Sequence, residues 1–341
     1  EKKLDDADFW AVIKAMYFDT QEVFKIAPEF LLFSGKDAKE NKINRRIGEM
    51  FRNILGETAI LQLEGDKLNF IERSIFETLN NKGLKAEKEF AKKRKPIKEA
   101  PFLPYITIAL QKDLRFLASK PSYLLANFKS FLKLYSFLYT SQLAHNLKTW
   151  QEGKVSPKPN YFIMDTEKAS KERRYVRDFG CKQLMDNIAY IFPFLNMSQL
   201  LQNNEVIQQP LWKLVETLDE TSETTTRLND FAKEFAEDRK TKLEPEDKES
   251  SIEALAQLLD LSIAQFKTGN KDKDNIHINY VRFIKMHLCE GFIQNRGSAG
   301  STLVLNQDYL ILLTNIAIGS NEKLRLHDLI NEFELRGVFF D

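Results

Sequence analysis

One stretch of the sequence, from Leu114 to Gln151, constrains the fold more than any other. It contains no Asp or Glu, and its apolar positions surround most of a helical circumference instead of forming one stripe. A helix of this kind normally lies buried among other helices, so we predict a central helix here. The alternative is stacking of exposed rings on nucleic-acid bases, which requires a basic groove. Its aromatic residues are Phe116, Tyr123, Phe128, Phe131, Tyr135, Phe137, Tyr139 and Trp150.

Amphipathic patterns elsewhere extend the helical prediction to most of the chain. The segments 5–19, 42–55 and 66–81 each place apolar residues at helical spacing on one face. Glycine is scarce, with 13 in 341 residues, and patterns of strict alternation are rare. The predicted fold class is therefore mainly α, with a helical N-terminal domain and a helical C-terminal region.

Gly153, Pro157 and Pro159 lie in the segment "QEGKVSPKPN", which has no periodic hydrophobic residues. This composition predicts a linker. The predicted division of the chain is a helical domain, a linker, a mainly helical domain containing the short strand "YFIM", and a C-terminal module, covering residues 1–150, 151–160, 161–295 and 296–341.

Bulk composition excludes several classes of protein. The formal net charge is +1, so no global field indicates a nucleic-acid or membrane partner. Cys181 and Cys289 have neither disulfide-framework nor metal-ligand spacing, which favours reduced thiols in the cytoplasm. The longest apolar runs are about half the length of a membrane span, and no signal peptide is visible, so we expect no membrane contact.

The densest basic cluster is a lysine stripe between Lys82 and Lys98. If the segment is helical up to Pro96, five lysines lie on one face, and three further basic residues flank them. Such a stripe can neutralise phosphates and give salt-sensitive, sequence-independent DNA binding; the alternative is a solvated helix face. The stripe consists of Lys82, Lys85, Lys88, Lys92 and Lys95, flanked by Lys93, Arg94 and Lys98.

A second candidate region follows the predicted strand "YFIM". Asp165, Glu167 and Lys168 come directly after it, and carboxylates beside a lysine at a strand end are typical of metal-dependent nucleases. The spacing differs from that pattern, because Glu167 and Lys168 are adjacent. A helix N-terminus also accounts for the acids, which favour the positive end of a helix. The basic residues that follow are candidate DNA contacts: Arg173, Arg174 and Arg177.

The sequence contains no motif of an enzyme. The four histidines lack metal-ligand spacing, and no P-loop, nucleophile elbow or kinase motif is present. We therefore predict no catalytic activity, no metal and no cofactor.

The C-terminal segment has the order of a winged helix. A helix at 276–294 precedes the loop "NRGSAG", where Gly297 and Gly300 provide a corner; a strand, two helices and the strand "VFFD" follow. The hairpin wing would come after Asp341 and is missing. The third helix is too acidic for a DNA reader, so docking to a protein is an equal alternative. Its predicted apolar stripe, which leaves Arg336 outside, is Leu324, Leu326, Leu329, Ile330 and Phe333.

Two segments resemble a known family. The tail from Gly300, "GSTLVLNQDYLILLTNIAIGSNEKLRLHDLINEFELRGVFFD", and the stretch "MDTEKASKERR" at 164–174 are similar to the G component of bacterial DNA phosphorothioation-dependent restriction systems. The likeness covers the last 50 or so residues and about 15 in the middle. Thr166 stands where the family has an aromatic residue, and Phe179-Gly180-Cys181 where it has Gly-Trp.

The resemblance implies a role in restricting foreign DNA that lacks the phosphorothioate mark. It implies ATPase-type partner subunits, F and H, which would carry motor and cleavage functions. On this interpretation the chain is a non-catalytic subunit that bridges these partners and contacts DNA through the lysine stripe. The alternatives are a winged-helix DNA-binding regulator and a metal-dependent nuclease that uses Asp165, Glu167 and Lys168.

Overall fold

The computed structural model of the protein describes residues 100–167, 173, 176–202 and 207–340. The helices predicted before residue 100 and the whole lysine stripe, Lys82 to Lys98, lie outside the described residues. So do Lys168 and Arg174, two of the candidate site residues.

The described chain is mostly helical with a small mixed sheet, which confirms the mainly α prediction at that level. Its α-helices are α1 (Pro104–Ala118), α2 (Pro121–Lys148), α3 (Gln183–Leu200), α4 (Leu211–Glu216), α5 (Ser222–Arg239), α6 (Ser251–Ala264), α7 (Lys271–Phe283), α8 (Gln307–Ile318) and α9 (Leu326–Leu335). Its strands are β1 (Tyr161–Met164), β2 (Ile293–Asn295), β3 (Ser301–Leu305) and β4 (Phe339–Phe340). Among the described helices, none combines the length and apolar character needed to cross a membrane.

Helix α2 is the predicted central helix. It begins at Pro121, whose fixed φ suits the first helical position. The second half of α2 is buried on nearly every side, and its main packing partners are α1 and α3. The buried interpretation of its aromatic residues is confirmed: Phe128, Phe131, Tyr135, Phe137 and Tyr139 are each 3% exposed or less.

The segment predicted as a linker is held along α2 by two side-chain amides. The Gln142 amide donates to the Lys158 carbonyl oxygen at 2.7 Å and accepts from the Lys158 N–H at 2.8 Å. Asn146 makes the same pair of bonds with Ser156, each 3.1 Å long. Gln142 and Asn146 are four residues apart, which is about 6 Å along a helix axis. Ser156 and Lys158 are two residues apart, which is about 6.6 Å in an extended chain. Each amide therefore lies opposite its partner.

A single hydrophobic core includes residues from both sides of this segment, from Phe102 in the chain before α1 to Val338 before β4. The predicted domain boundaries stay predictions. Within the described residues, most buried apolar side chains from α1 to β4 belong to this core, and a second, small cluster consists of Ile163, Val176 and Val304.

The sheet has the order β2-β3-β1-β4. Strand β1 lies in the middle and pairs in parallel with both β3 and β4, with Phe162 opposite Leu303 and Tyr161 opposite Phe339. Strand β2 pairs antiparallel with β3. The strands predicted at "YFIM", "STLVLN" and "VFFD" are therefore present, the second ending at Leu305, and residues from distant parts of the chain meet at β1.

The predicted helix at 276–294 is wrong at its C-terminal end. Helix α7 ends at Phe283, a π-helical turn covers Ile284–Leu288, and β2 begins at Ile293. Gly291 has φ +83°, a conformation that stops a helix. Phe292 is then buried and stacks on Phe137 with ring centroids 4.4 Å apart, so the chain continues as a strand.

The predicted winged-helix module is not confirmed. The order of helix, strand, helix, helix and strand is present from α7 to β4, and Asn306 caps α8 by accepting from the Tyr309 N–H at 2.9 Å. In the sheet, however, β4 pairs with β1 and not with β3, and all three strands run parallel.

A buried ion pair joins the C-terminal segment to the first helices. Arg336 and Asp113 are 1% and 0% exposed, and the guanidinium binds both carboxylate oxygens, at 2.8 and 2.6 Å. The Tyr135 hydroxyl donates to the same carboxylate. Burial alone would lower the pKa of Arg336, but Tyr135 and Asp113 raise it above its ordinary value. Arg336, predicted to lie outside the apolar stripe of its helix, is in fact fully buried.

We predict that Arg336→Met lowers the free energy of unfolding by about 3–5 kcal/mol, because it leaves the buried Asp113 carboxylate without its cation. Lys112→Met is the matched control, since Lys112 is 52% exposed and pairs with Glu332, which also binds Arg336 Nη1. Loss of this partly exposed pair is expected to cost about 1 kcal/mol or less. Urea denaturation of both variants measures the difference, and equal losses would contradict the account.

The His145 ring connects α2 to both β1 and α3. Its Nε2 lies 2.7 Å from the Asn160 Oδ1, and its Nδ1 lies 3.0 Å from the Asn187 Nδ2. The Asn160 amide nitrogen donates to the Ser141 hydroxyl, so its oxygen is left to accept from the imidazole. Nδ1 therefore accepts a hydrogen bond and carries no proton. Burial lowers the pKa of His145 below its ordinary value.

This arrangement predicts a loss of stability in mild acid. The unfolded chain protonates His145 near pH 6.5, whereas the folded state resists protonation. Stability from this group is therefore complete above about pH 6.5 and falls as the pH drops, by up to about 1.4 kcal/mol for each pH unit until the folded pKa is reached. In denaturation between pH 5 and pH 7.5, His145→Gln should show a flatter pH dependence. The exposed His327→Gln should behave like wild type.

Candidate nucleic-acid interface

The chain that leaves β1 folds back on the end of the strand. The Glu167 N–H donates to the Met164 carbonyl oxygen at 2.9 Å, and the Glu167 Oε2 accepts from the Met164 N–H at 3.2 Å. The other carboxylate oxygen accepts from Arg173 Nη1. The Glu167 side chain thus holds Arg173 against the turn that follows β1.

The loop between β2 and β3 is closed by its own backbone. The Arg296 N–H donates to the Gly300 carbonyl oxygen at 2.8 Å, and the Gly297 N–H donates to the Asn295 Oδ1 at 2.9 Å. Gly297 has φ +62°, and Gly300 has φ +81° with ψ −165°, a region that is essentially restricted to glycine. The predicted glycine corner is therefore present.

Arginine side chains join this loop to the turn after β1. Arg296 Nη2 donates to the Asp165 carbonyl oxygen at 2.7 Å. The Arg177 stem crosses the other end of the loop, with its Cδ 3.0 Å from where a Cβ on Gly300 would lie. We call Arg173, Arg177 and Arg296 the arginine cluster.

Donor groups of Arg177 and Arg296 have no partner among the described residues. Arg177 is 37% exposed and uses its Nε to bind Asp178 at 3.1 Å, and its Nη groups form no hydrogen bond to another described residue. Arg296 Nε is buried and has no partner among the described residues. A planar guanidinium with free N–H groups suits the oxygen pairs of phosphate or carboxylate.

The described residues provide no metal-binding geometry that would support the nuclease interpretation. Within the described ranges, no group of three or more His, Cys, Asp or Glu side chains could hold a metal ion. Both Glu167 oxygens have protein partners, and Lys168 lies outside the described residues. The roles suggested for Asp165, Glu167 and Lys168 in catalysis stay predictions.

Part of the arginine cluster is predictable from the sequence. The charge of their segment indicates Arg173 and Arg177. Arg296 is isolated in sequence from other basic residues, and its contact with Asp165 spans 131 positions, so charge patterning does not reveal it. The one available signal was its place in the glycine loop.

The two cysteines are buried, and burial raises the pKa of Cys181 to about 11 and that of Cys289 to about 12. Neither thiol is therefore a candidate nucleophile at neutral pH.

Comparisons with known proteins leave the family open. The chain matches no protein-family model, and a search of curated proteins finds no match either.

We predict that Gly300→Ala destabilises the protein by about 2–3 kcal/mol, since its backbone conformation is strained for other residues and the new methyl group would meet the Arg177 stem. Gly297→Ala is the matched control in the same loop. Its φ is also positive, but nothing lies within 4 Å of the added Cβ, so we expect a cost of about 1 kcal/mol. Urea denaturation measures both, and a greater loss for Gly297→Ala would refute this assignment.

Proposed function

We propose that this chain is a non-catalytic subunit of a bacterial DNA phosphorothioation-dependent restriction complex. It bridges the ATPase-type subunits F and H and contacts DNA. Its place of action is the cytoplasm. The lysine stripe is a further proposed DNA contact beside the arginine cluster.

One observation carries the proposal. The two segments that resemble the G component are separated by more than a hundred residues, yet they meet at the end of β1. Met164, the first residue of the first segment, pairs with Leu305 of the second, and the Asp165 N–H donates to the Leu305 carbonyl oxygen at 3.3 Å. Chance matches at two distant sites have no reason to meet in space, so their contact supports a resemblance that covers a folded unit.

The arginine cluster gives this unit a surface suited to DNA. It lies where the two segments meet, with Arg173 in the first, Arg177 shortly after it and Arg296 just before the second. Contacts to phosphate position a protein on DNA without reading its sequence. A subunit that must handle any unmarked foreign DNA requires binding of this kind.

We predict that F and H co-purify with the tagged chain when all three are produced together. Restriction of unmarked plasmid should require the chain, while phosphorothioated plasmid is spared. The tag alone is the control. Retention of neither F nor H would contradict the bridging function.

The non-catalytic part of the proposal is tested on the chain alone. Incubated with plasmid and Mg²⁺ or Mn²⁺, it should leave the DNA intact. Cleavage that disappears in Asp165→Asn would favour the nuclease alternative instead.

A winged-helix DNA-binding regulator is the second candidate, favoured by the order of elements from α7 to β4. The two functions differ in sequence preference. A regulator binds its operator at least about 10³-fold more tightly than other DNA, whereas the proposed subunit binds unrelated duplexes alike. Selection from a random duplex library distinguishes them.

A further inference from the structure

We propose that Arg177 and Arg296 form a binding site for a backbone phosphate of DNA. The choice of DNA rests on the proposed function, whereas the anion site itself rests on the geometry of the β2–β3 loop and the turn after β1.

The position of Arg296 is built into the loop. Its backbone N–H closes the loop on Gly300, and its Nη2 is held by the Asp165 carbonyl oxygen. A carbonyl group fixes the guanidinium without neutralising its charge. The Arg296 Nε is buried and has no partner among the described residues, so this donor is unsatisfied in the structure.

Arg177 approaches the same loop from the other side. Its Cδ lies in the space that any side chain at position 300 would occupy, so the glycine allows the approach. Asp178 accepts from its Nε at 3.1 Å in an exposed pair, and the Nη groups point to no other described partner. An exposed pair of this kind contributes little energy, so a phosphate can recruit the guanidinium at small cost.

The charge of the segment that connects Glu167 to Val176 favours the binding of an anion. The segment 168–175 connects Glu167 to Val176 and contains Lys168, Lys171, Arg173 and Arg174 against one acid, Glu172. Among the acidic side chains nearby, Glu167 binds Arg173 and Asp178 binds Arg177. The surplus of positive charge attracts phosphate.

Binding of a short DNA duplex to the full chain, measured by fluorescence anisotropy at salt concentrations from 50 to 200 mM, tests this site. Arg177→Gln and Arg296→Gln should each weaken binding roughly five- to tenfold, and each should reduce the slope of log affinity against log salt by about one. Arg177→Lys keeps the charge but loses the planar pair of N–H donors. It should therefore keep the slope of log affinity against log salt and bind DNA more weakly.

Arg227→Gln is the matched control, because Arg227 is 79% exposed on α5 and pairs with Glu223 within its own helix. It should bind DNA like wild type. Thermal denaturation checks that each variant is folded. Arg177 is partly exposed, so its variants test the site even if Arg296→Gln does not fold. Unchanged affinity and unchanged slope in the folded Arg177→Gln variant would overturn the proposal.

Co-purification with F and H separates this proposal from the function on which it rests. If the variants lose DNA affinity and wild type retains its partners, both stand. If the variants lose DNA affinity but wild type retains no partner, the site stands and the proposed function fails. If the variants keep DNA affinity but release F or H, the cluster binds protein, which refutes the DNA site and leaves the function.

Discussion

The buried pair of Arg336 and Asp113 is the interaction on which the rest of the structure depends. It joins residues 223 positions apart, and neither charge is accessible to water. Because an isolated buried charge is very costly, the C-terminal segment has to return to α1 and α2. Gly337 follows at once with φ +82°, and a Cβ there would lie 2.3 Å from the Gln142 amide nitrogen. The chain therefore turns tightly over α2 and enters β4.

The consequence for the candidate interface is that β1 is held from several directions. Gln142 binds the chain that leads into β1, while β3 and β4 pair with its two edges. Gly180 allows a π-helical turn, Arg177–Lys182, to approach β1, since a Cβ there would lie 2.9 Å from the Tyr161 carbonyl oxygen. Arginines from distant parts of the sequence meet as a result.

Local sequence patterns predicted the helices and strands, whereas long-range contacts decided which side chains are buried. The absence of acids identified α2. The helical stripe of α9 was only partly right: Phe333 is buried, but Leu326 is 72% exposed and Arg336 is buried in its place. A burial pattern that depends on a carboxylate from another helix cannot be read from one helix alone. The role of Arg296 likewise depends on a contact with a distant residue, Asp165, and cannot be read from its own segment.

Amide hydrogen exchange tests the central claim, that the C-terminal segment and β1 form one cooperative unit tied by the buried pair. Exchange would be followed in wild type and in Arg336→Met under conditions where both remain folded. The account predicts that the amides of Phe162 and Ile163 in β1 lose protection together with those of α9. Faster exchange in α9 while β1 keeps its wild-type protection would contradict it.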